Sequence, residues 1–134
     1  MKLKKNQQAL LKHARVARVA TAGPDGTPHV VPVCPVSANG NVYFSTDGNS
    51  RKARNLERNP RIAVVVDDYS EDWSRLCGLL LAGRAELLRS GAEKNRIRKL
   101  LLEKFPQYEE EGYLEAPGSV IVRIRPEKSF SWGL

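Results

Sequence analysis

Three hydroxyls and two cations lie close together in the segment VYFSTDGNSRK. Ser45 and Thr46 end a β-branched run, and Ser50, Arg51 and Lys52 follow a short Asp-Gly-Asn loop. Ser50 is a preferred residue for capping a helix, so the two cations should fall on the first helical turn. A helix start is already electropositive and has free N–H groups, which favours an anion over cations. This pattern predicts a site for a dianionic phosphate. The alternative is a pair of solvated surface cations.

No other set of reactive side chains forms a recognisable site in the sequence. His13 and His29 are far apart, and neither lies in a metal-ligand pattern. His29 precedes a proline-rich run, where it could transfer a proton, form a hydrogen bond or simply lie on a strand surface. Cys34 and Cys77 have no CxxC spacing, so we expect buried free thiols and no metal site. No catalytic residue is predicted.

Turns and proline residues define the elements around the predicted phosphate site. GPDGT at 23–27 indicates a tight turn between two strands. The run PHVVPVCPV at 28–36 contains three prolines, which cannot donate to a sheet, so this strand should lie at an edge or beside a ligand. The segment 51–60 reads as a helix that ends at Pro60.

The whole chain reads as one domain, residues 1–134, that is mainly β with helices. Hairpin turns dominate, so we expect a six-stranded antiparallel barrel rather than a parallel sheet. One long helix is predicted at 90–105. The six predicted strands are 15–22, 28–36, 42–46, 61–68, 75–88 and 119–126.

The net charge of +7 raises the question of nucleic-acid binding. The basic residues are spread along the chain, with no aromatic-basic RNA motif and no zinc-finger spacing. A solvated basic surface or a local anion site is therefore preferred over a nucleic-acid partner. No run approaches the length of about 20 apolar residues that spans a bilayer, and the N-terminus does not resemble a signal peptide. We expect a cytoplasmic protein without a membrane partner.

Two longer segments resemble the pyridoxamine 5'-phosphate oxidase-like, FMN-binding split-barrel family. VYFSTDGNSRKARNLERNPRIAVVV is similar to that family's strand, loop, Ser-Arg-Lys, Leu and Asn-Pro pattern. RVARVATAGPDGTPHVVPV is similar to its first hairpin. The resemblance covers about residues 10 to 90 well.

This resemblance implies a flavin-binding split barrel that acts as an oxidoreductase on a small molecule. Arg51 and Lys52 would bind the FMN phosphate, assisted by Ser45, Thr46 and Ser50. The strand 30–33 would lie against the flavin ring through Val30, Val31, Pro32 and Val33. The family's proteins are homodimers with the cofactor at the subunit interface. An alternative is a flavin or haem carrier without turnover.

The segment DDYSEDWSRL at 67–76 further resembles a subgroup that is thought to use the deazaflavin coenzyme F-420. Trp73 would stack on a ring or line the cleft, or else pack in the core or an interface. The acids around it are expected to be solvated or paired with Arg75. Trp132 is expected at the dimer interface or beside the cofactor. LCGLLLAG lacks the oxidase's polar side chain toward the flavin, and RPEKSFSWGL lacks its Arg-x-His stretch, so vitamin B6 phosphate is not the expected substrate.

Overall fold

The computed structural model describes residues 1–134 and contains seven strands and four α-helices. None of the helices is both long and apolar enough to cross a bilayer. Short 3-10 turns lie at Trp73–Arg75 and Tyr113–Glu115. The elements are α1 Lys5–His13, β1 Ala17–Ala22, β2 Pro28–Val33, β3 Val36–Ala38, β4 Asn41–Asp47, α2 Arg51–Arg58, β5 Arg61–Asp68, β6 Cys77–Leu88, α3 Ala92–Lys104, α4 Gln107–Glu111 and β7 Ser119–Trp132.

All seven strands form one antiparallel sheet, in the order β2-β1-β5-β6-β7-β4-β3. The two edge strands, β2 and β3, are joined by only Cys34 and Pro35. Because two residues cannot span a flat seven-stranded sheet, the sheet must curl until its edges approach each other. The edges do not pair, so the result is a split barrel. The predicted mainly β, antiparallel fold is confirmed.

The prediction of six strands was wrong by one, because the run 28–36 is two strands. Pro35 has no N–H to donate, and the chain breaks there before resuming as β3, which pairs with β4 rather than β1. Cys34, at this break, is exposed, and Cys77, at the start of β6, is only partly buried, so the expected burial of the two free thiols was wrong.

The core has two parts, one inside the curled sheet and one outside it. The larger part lies on the inner face under α1 and α2 and includes Phe44, Val64, Leu79 and Leu81. The smaller part lies between α3 and the opposite face of β4 and β7, and contains Tyr43, Ile97, Leu101 and Ile121. Strand β4 is therefore buried on both faces, which fixes the loop that leads from it into α2.

Two glycines of β6 allow close approach of β7. A Cβ at Gly78 would overlap the ring of Trp132. Gly83 lies at a register shift beside Ala82, where a Cβ would overlap the carbonyl group of Arg125. The first contact lets an aromatic ring lie over the sheet, and the second lets the two long strands bend together.

Candidate functional site

The corner where β4 passes into α2 has the predicted capping geometry. Ser50 is the N-cap residue, and its Oγ accepts a hydrogen bond from the Ala53 N–H at 3.3 Å. The Thr46 hydroxyl donates to the Ser50 Oγ at 3.0 Å. The N–H groups of the first two helical residues have no intrahelical acceptor, so they point out of the helix start. Two hydroxyls and two backbone donors thus gather within one turn.

Lys52 is half-buried beside this corner and has no carboxylate partner within ion-pair distance. Burial alone lowers the pKa of its ammonium group, since no charged neighbour contributes to the shift. A partly desolvated cation without a counter-charge is unfavourable. A phosphate held at the corner would remove that penalty.

Arg51 projects about 100° around the helix from Lys52, because neighbouring helical residues do not share a face. It lines a polar groove of about 520 Å³ between α2 and the β1–β2 turn. Arg54 and Arg58 line the same groove, together with Asp25 and Thr27 of the turn. Our sequence analysis missed Arg54 and Arg58. Arg54 lies three residues after Arg51, and Arg58 lies four residues after Arg54, so the three side chains share one face of the helix.

Ser45 lies on the opposite face of β4 from Thr46. Ser45 pairs across the strands with Ile121, on the side that α3 and α4 cover. Ser45 and Thr46 both border a cavity of about 240 Å³. Its other lining residues are Asp47, Tyr108, Tyr113, Ala116, Pro117 and Ser119. The predicted cluster is thus divided: Ser50 and Lys52 belong to the corner, Thr46 to both the corner and this cavity, Arg51 to the groove, and Ser45 to the cavity alone.

Strand β2, predicted to carry the flavin ring, is an edge strand as its prolines suggested. Its side chains alternate: Val31 and Val33 face the inside of the barrel, whereas Val30 and Pro32 are exposed on the outer face. Val30 and Pro32 are therefore the two side chains that a ligand on the outer face would touch. The free edge also leaves backbone groups that the sheet does not use.

The outer face of the sheet is unusually apolar between β2 and β7. Ala20, Ala63 and Ala82 are direct neighbours across β1, β5 and β6. Beside them, Leu80 pairs with Phe130, whose side chain is 57% exposed. With Val30 at 66% exposure, these residues form a continuous apolar strip, which we call the outer strip.

The two tryptophans lie near one end of the outer strip. Trp132 covers Gly78 and packs against Phe130, with 5.9 Å between the ring centroids. Trp73 lies in the loop between β5 and β6 and is 73% exposed, so it is not a core residue. Asp67 pairs with Arg18 at 3.1 Å rather than with Arg75.

His29 lies on the inner face opposite Thr21. Its Nδ1 is buried and has no hydrogen-bond partner, while the Thr21 hydroxyl is occupied by Asn55 at 3.0 Å. No group of three or more His, Cys, Asp or Glu side chains is close enough to hold a metal ion. Proton transfer by His29 stays a prediction, and no side chain stands out as a catalytic residue.

With this geometry described, comparison with known proteins identifies the family. Residues 3–133 match the family model described as pyridoxamine 5'-phosphate oxidase. The chain belongs to this family. The resemblance found in the sequence is therefore confirmed, and it extends over nearly the whole chain rather than only residues 10 to 90.

Three relatives show the range of proteins in this family and fold. A 5a,11a-dehydrotetracycline/5a,11a-dehydrooxytetracycline reductase of Streptomyces rimosus is 30% identical over 122 residues, which cover 87% of this chain and 73% of the relative. The structure of an FAD-binding protein from Mesorhizobium loti matches with a TM-score of 0.75 and 28% identity, covering 96% of this chain and 94% of that one. The haem storage protein HutZ of Vibrio cholerae has the same fold, with a TM-score of 0.81 and 19% identity, covering 97% of this chain and 94% of that one.

The donor set at the corner fits the phosphate end of a flavin nucleotide. A phosphate dianion needs several donors and a compensating positive charge, and the corner offers hydroxyls, free N–H groups and the uncompensated Lys52. The end of β2 leads through Cys34 and Pro35 to Val36, which pairs with Tyr43 of β4, three residues before Thr46. One ligand could therefore reach both the corner and β2.

Proposed function

We propose that this chain is an FMN-binding oxidoreductase that acts on a small molecule. Membership of the pyridoxamine 5'-phosphate oxidase family and the 30% identical reductase support a redox role. The FAD-binding neighbour supports a flavin as the cofactor. FMN supplies hydride or electron transfer when it is bound, so the residues of the chain need only position it and exclude water.

The observation that carries this proposal is the half-buried, unpaired ammonium group of Lys52 at the start of a capped helix. In the proposed complex, Lys52 and Arg51 neutralise the phosphate, while the Thr46 and Ser50 hydroxyls and the free N–H groups bind its oxygens. Each charge-assisted hydrogen bond contributes about 1.5–3 kcal/mol. Ser45 supports this corner only from the far side of β4.

The ring would rest on the outer side of β2, where Val30 and Pro32 are exposed. We further propose that two copies associate through the outer strip, with the cofactor in the cleft between them. A second copy would cover Leu80 and Phe130, which are exposed in one chain, and would shield the ring from water. Trp73 would line this cleft, and Trp132 would lie at the interface.

Titration of the cofactor-free protein with FMN, FAD and coenzyme F-420 tests the assignment. We expect FMN to bind with quenching of flavin fluorescence. The Arg51→Ala/Lys52→Ala variant should bind FMN at least about a hundredfold more weakly, because it loses two charge-assisted contacts. Its far-UV circular dichroism should match the wild type, since neither side chain belongs to the core.

The matched control is Arg96→Ala/Lys99→Ala, which removes two exposed cations from α3. It should bind FMN like the wild type. Equal loss in both variants would mean that net charge, not the corner, determines binding. If the wild type prefers coenzyme F-420, the corner remains the proposed phosphate site, but the cofactor is F-420 rather than FMN.

A flavin or haem carrier without turnover is the competing function. Absorption spectra of the bound cofactor distinguish such a carrier from an enzyme. Incubation with haem should give no Soret shift if the flavin proposal is correct. Mixing the FMN complex with NADPH or NADH under anaerobic conditions should bleach the flavin absorption. A complex that cannot be reduced by either donor or by reduced coenzyme F-420 would contradict turnover.

A further inference from the structure

The groove between α2 and the β1–β2 turn contains positive charge that a single phosphate does not need. Arg51, Arg54 and Arg58 line it, and none has a carboxylate within ion-pair distance. The three guanidinium groups extend about 10 Å along the helix axis. All eight residues that line the groove are polar or are Gly or Pro.

The helix itself is destabilised by this arrangement. Like charges three and four residues apart repel each other on a helix surface, and Arg51 also opposes the positive helix start. The single acid of α2, Glu57, points away and pairs with Arg89 at 3.6 Å. Local sequence choices that oppose the local structure commonly mark a functional site.

The carboxylate of Asp25 does not neutralise the groove. It accepts hydrogen bonds from the Thr27 backbone at 3.0 Å and from the Thr27 hydroxyl at 2.8 Å. These bonds are the main reason that the pKa of Asp25 is lowered, and the charge of Arg51 is a minor contribution. Three guanidinium groups against one such carboxylate leave the groove with an excess of two positive charges.

We infer that this groove binds a diphosphate next to the phosphate at the corner of α2. Arg51 is the first residue of α2 and lines the groove, so the groove begins beside the corner. Guanidinium groups match phosphate oxygens in a bidentate manner, which lysines cannot do. The absence of apolar lining fits a diphosphate rather than a base or a ring.

This inference deepens the proposed function and rests on it, because the corner phosphate is that of the flavin. The diphosphate could come from a dinucleotide form of the flavin or from the nicotinamide dinucleotide that reduces it. FAD and NADPH titrations distinguish these sources. FAD tighter than FMN identifies the first, and saturable NADPH binding to the FMN complex identifies the second.

The test compares phosphate with pyrophosphate as ligands of the cofactor-free wild-type protein, by calorimetry. We expect pyrophosphate to bind at least about tenfold more tightly, since it gains contacts with Arg54 and Arg58. In Arg54→Ala/Arg58→Ala this preference should disappear. In Arg54→Lys/Arg58→Lys it should be reduced, because the charge remains and the bidentate geometry is lost. Arg96→Ala/Lys99→Ala should keep the full preference.

Equal affinity of the wild type for phosphate and pyrophosphate would overturn the inference, as would a preference that survives in Arg54→Ala/Arg58→Ala. Failure of the proposed function looks different. In that case the wild type prefers pyrophosphate but binds neither FMN nor FAD. Loss of the preference in all three variants would show an effect of net charge alone and would also overturn the inference.

Discussion

At the residue scale, Lys104 is the cation most affected by its surroundings. Its Nζ donates to the carbonyl of Pro35 at 2.8 Å, directly after the break between β2 and β3. Burial, and secondarily the charge of Arg15, lowers its pKa from 10.5 to about 8, against a smaller opposing effect of Cys34. Between these two values the unfolded chain binds more protons than the folded one.

The stability of the protein should therefore increase as the pH rises from about 8 toward 10.5, and Lys104 should account for part of the increase. Urea unfolding of wild type and Lys104→Met at about pH 7 and about pH 9.5 measures it. Between these two pH values, we expect the free energy of unfolding to increase more in the wild type than in the variant. The range stays below the titration of Tyr108, whose pKa burial raises to about 12. An equal gain in both proteins would show that Lys104 is not the source.

Individual residues were the hardest part to predict from the sequence. The hydroxyl cap and the basic pair were readable because helix caps follow local rules, and Ser50 obeys them. Strand alternation already implies that Ser45 and Thr46 lie on opposite faces of β4. Which of these two faces is directed toward the start of α2 depends on the packing of α3, which the local sequence does not reveal. The orphaned Nδ1 of His29 depends on long-range pairing and has no local signal.

At the element scale, the start of α2 has two roles, and substitutions of Ser50 can separate them. Ser50 caps the helix and also lies at the proposed phosphate corner. Ser50→Ala should lower the free energy of unfolding by about 1 kcal/mol and weaken FMN binding. Ser50→Asp should keep the cap, and with it the stability, because aspartate is an equally good N-cap residue.

The same Ser50→Asp variant should lose FMN affinity by at least about tenfold, because its carboxylate repels the phosphate. Thermal unfolding without cofactor and FMN titration measure the two effects independently. A variant that is stable and binds FMN like the wild type would place the phosphate away from Ser50.

The last strand shows why some element boundaries could not be predicted. The predicted strand ended at residue 126, yet β7 continues to Trp132. Its pattern is reversed relative to an ordinary strand: Ser129 and Ser131 pair with the buried Leu81 and Leu79, while Phe130 faces outward. The Ser131 hydroxyl accepts from the Gln7 amide of α1 at 3.2 Å. Aromatic residues on the outer face and serines on the inner face do not give the apolar alternation that marks a strand, so its continuation is visible only once the partner strand is known.

At the scale of the whole molecule, the proposed association of two copies depends on the outer strip. Leu80→Glu/Phe130→Glu places two carboxylates directly opposite each other on this face. If two copies associate there, the variant should be a monomer by light scattering and should bind FMN more weakly. Leu102→Glu, which changes a partly exposed leucine on α3, should leave the mass unchanged. A wild-type protein that is already monomeric would refute the dimer.

The two-residue link between β2 and β3 also limits how the barrel can be assembled. The first 47 residues form two hairpins that do not pair with each other. The second partner of β1 is β5, and the second partner of β4 is β7, and both come later in the chain. Because β7 follows the other six strands in the chain and pairs with both β6 and β4, it completes the sheet. A nascent chain lacking it holds β4 only through three residue pairs to β3. β7 must therefore be synthesised before the hairpin that leads into the phosphate corner can pair fully with the sheet.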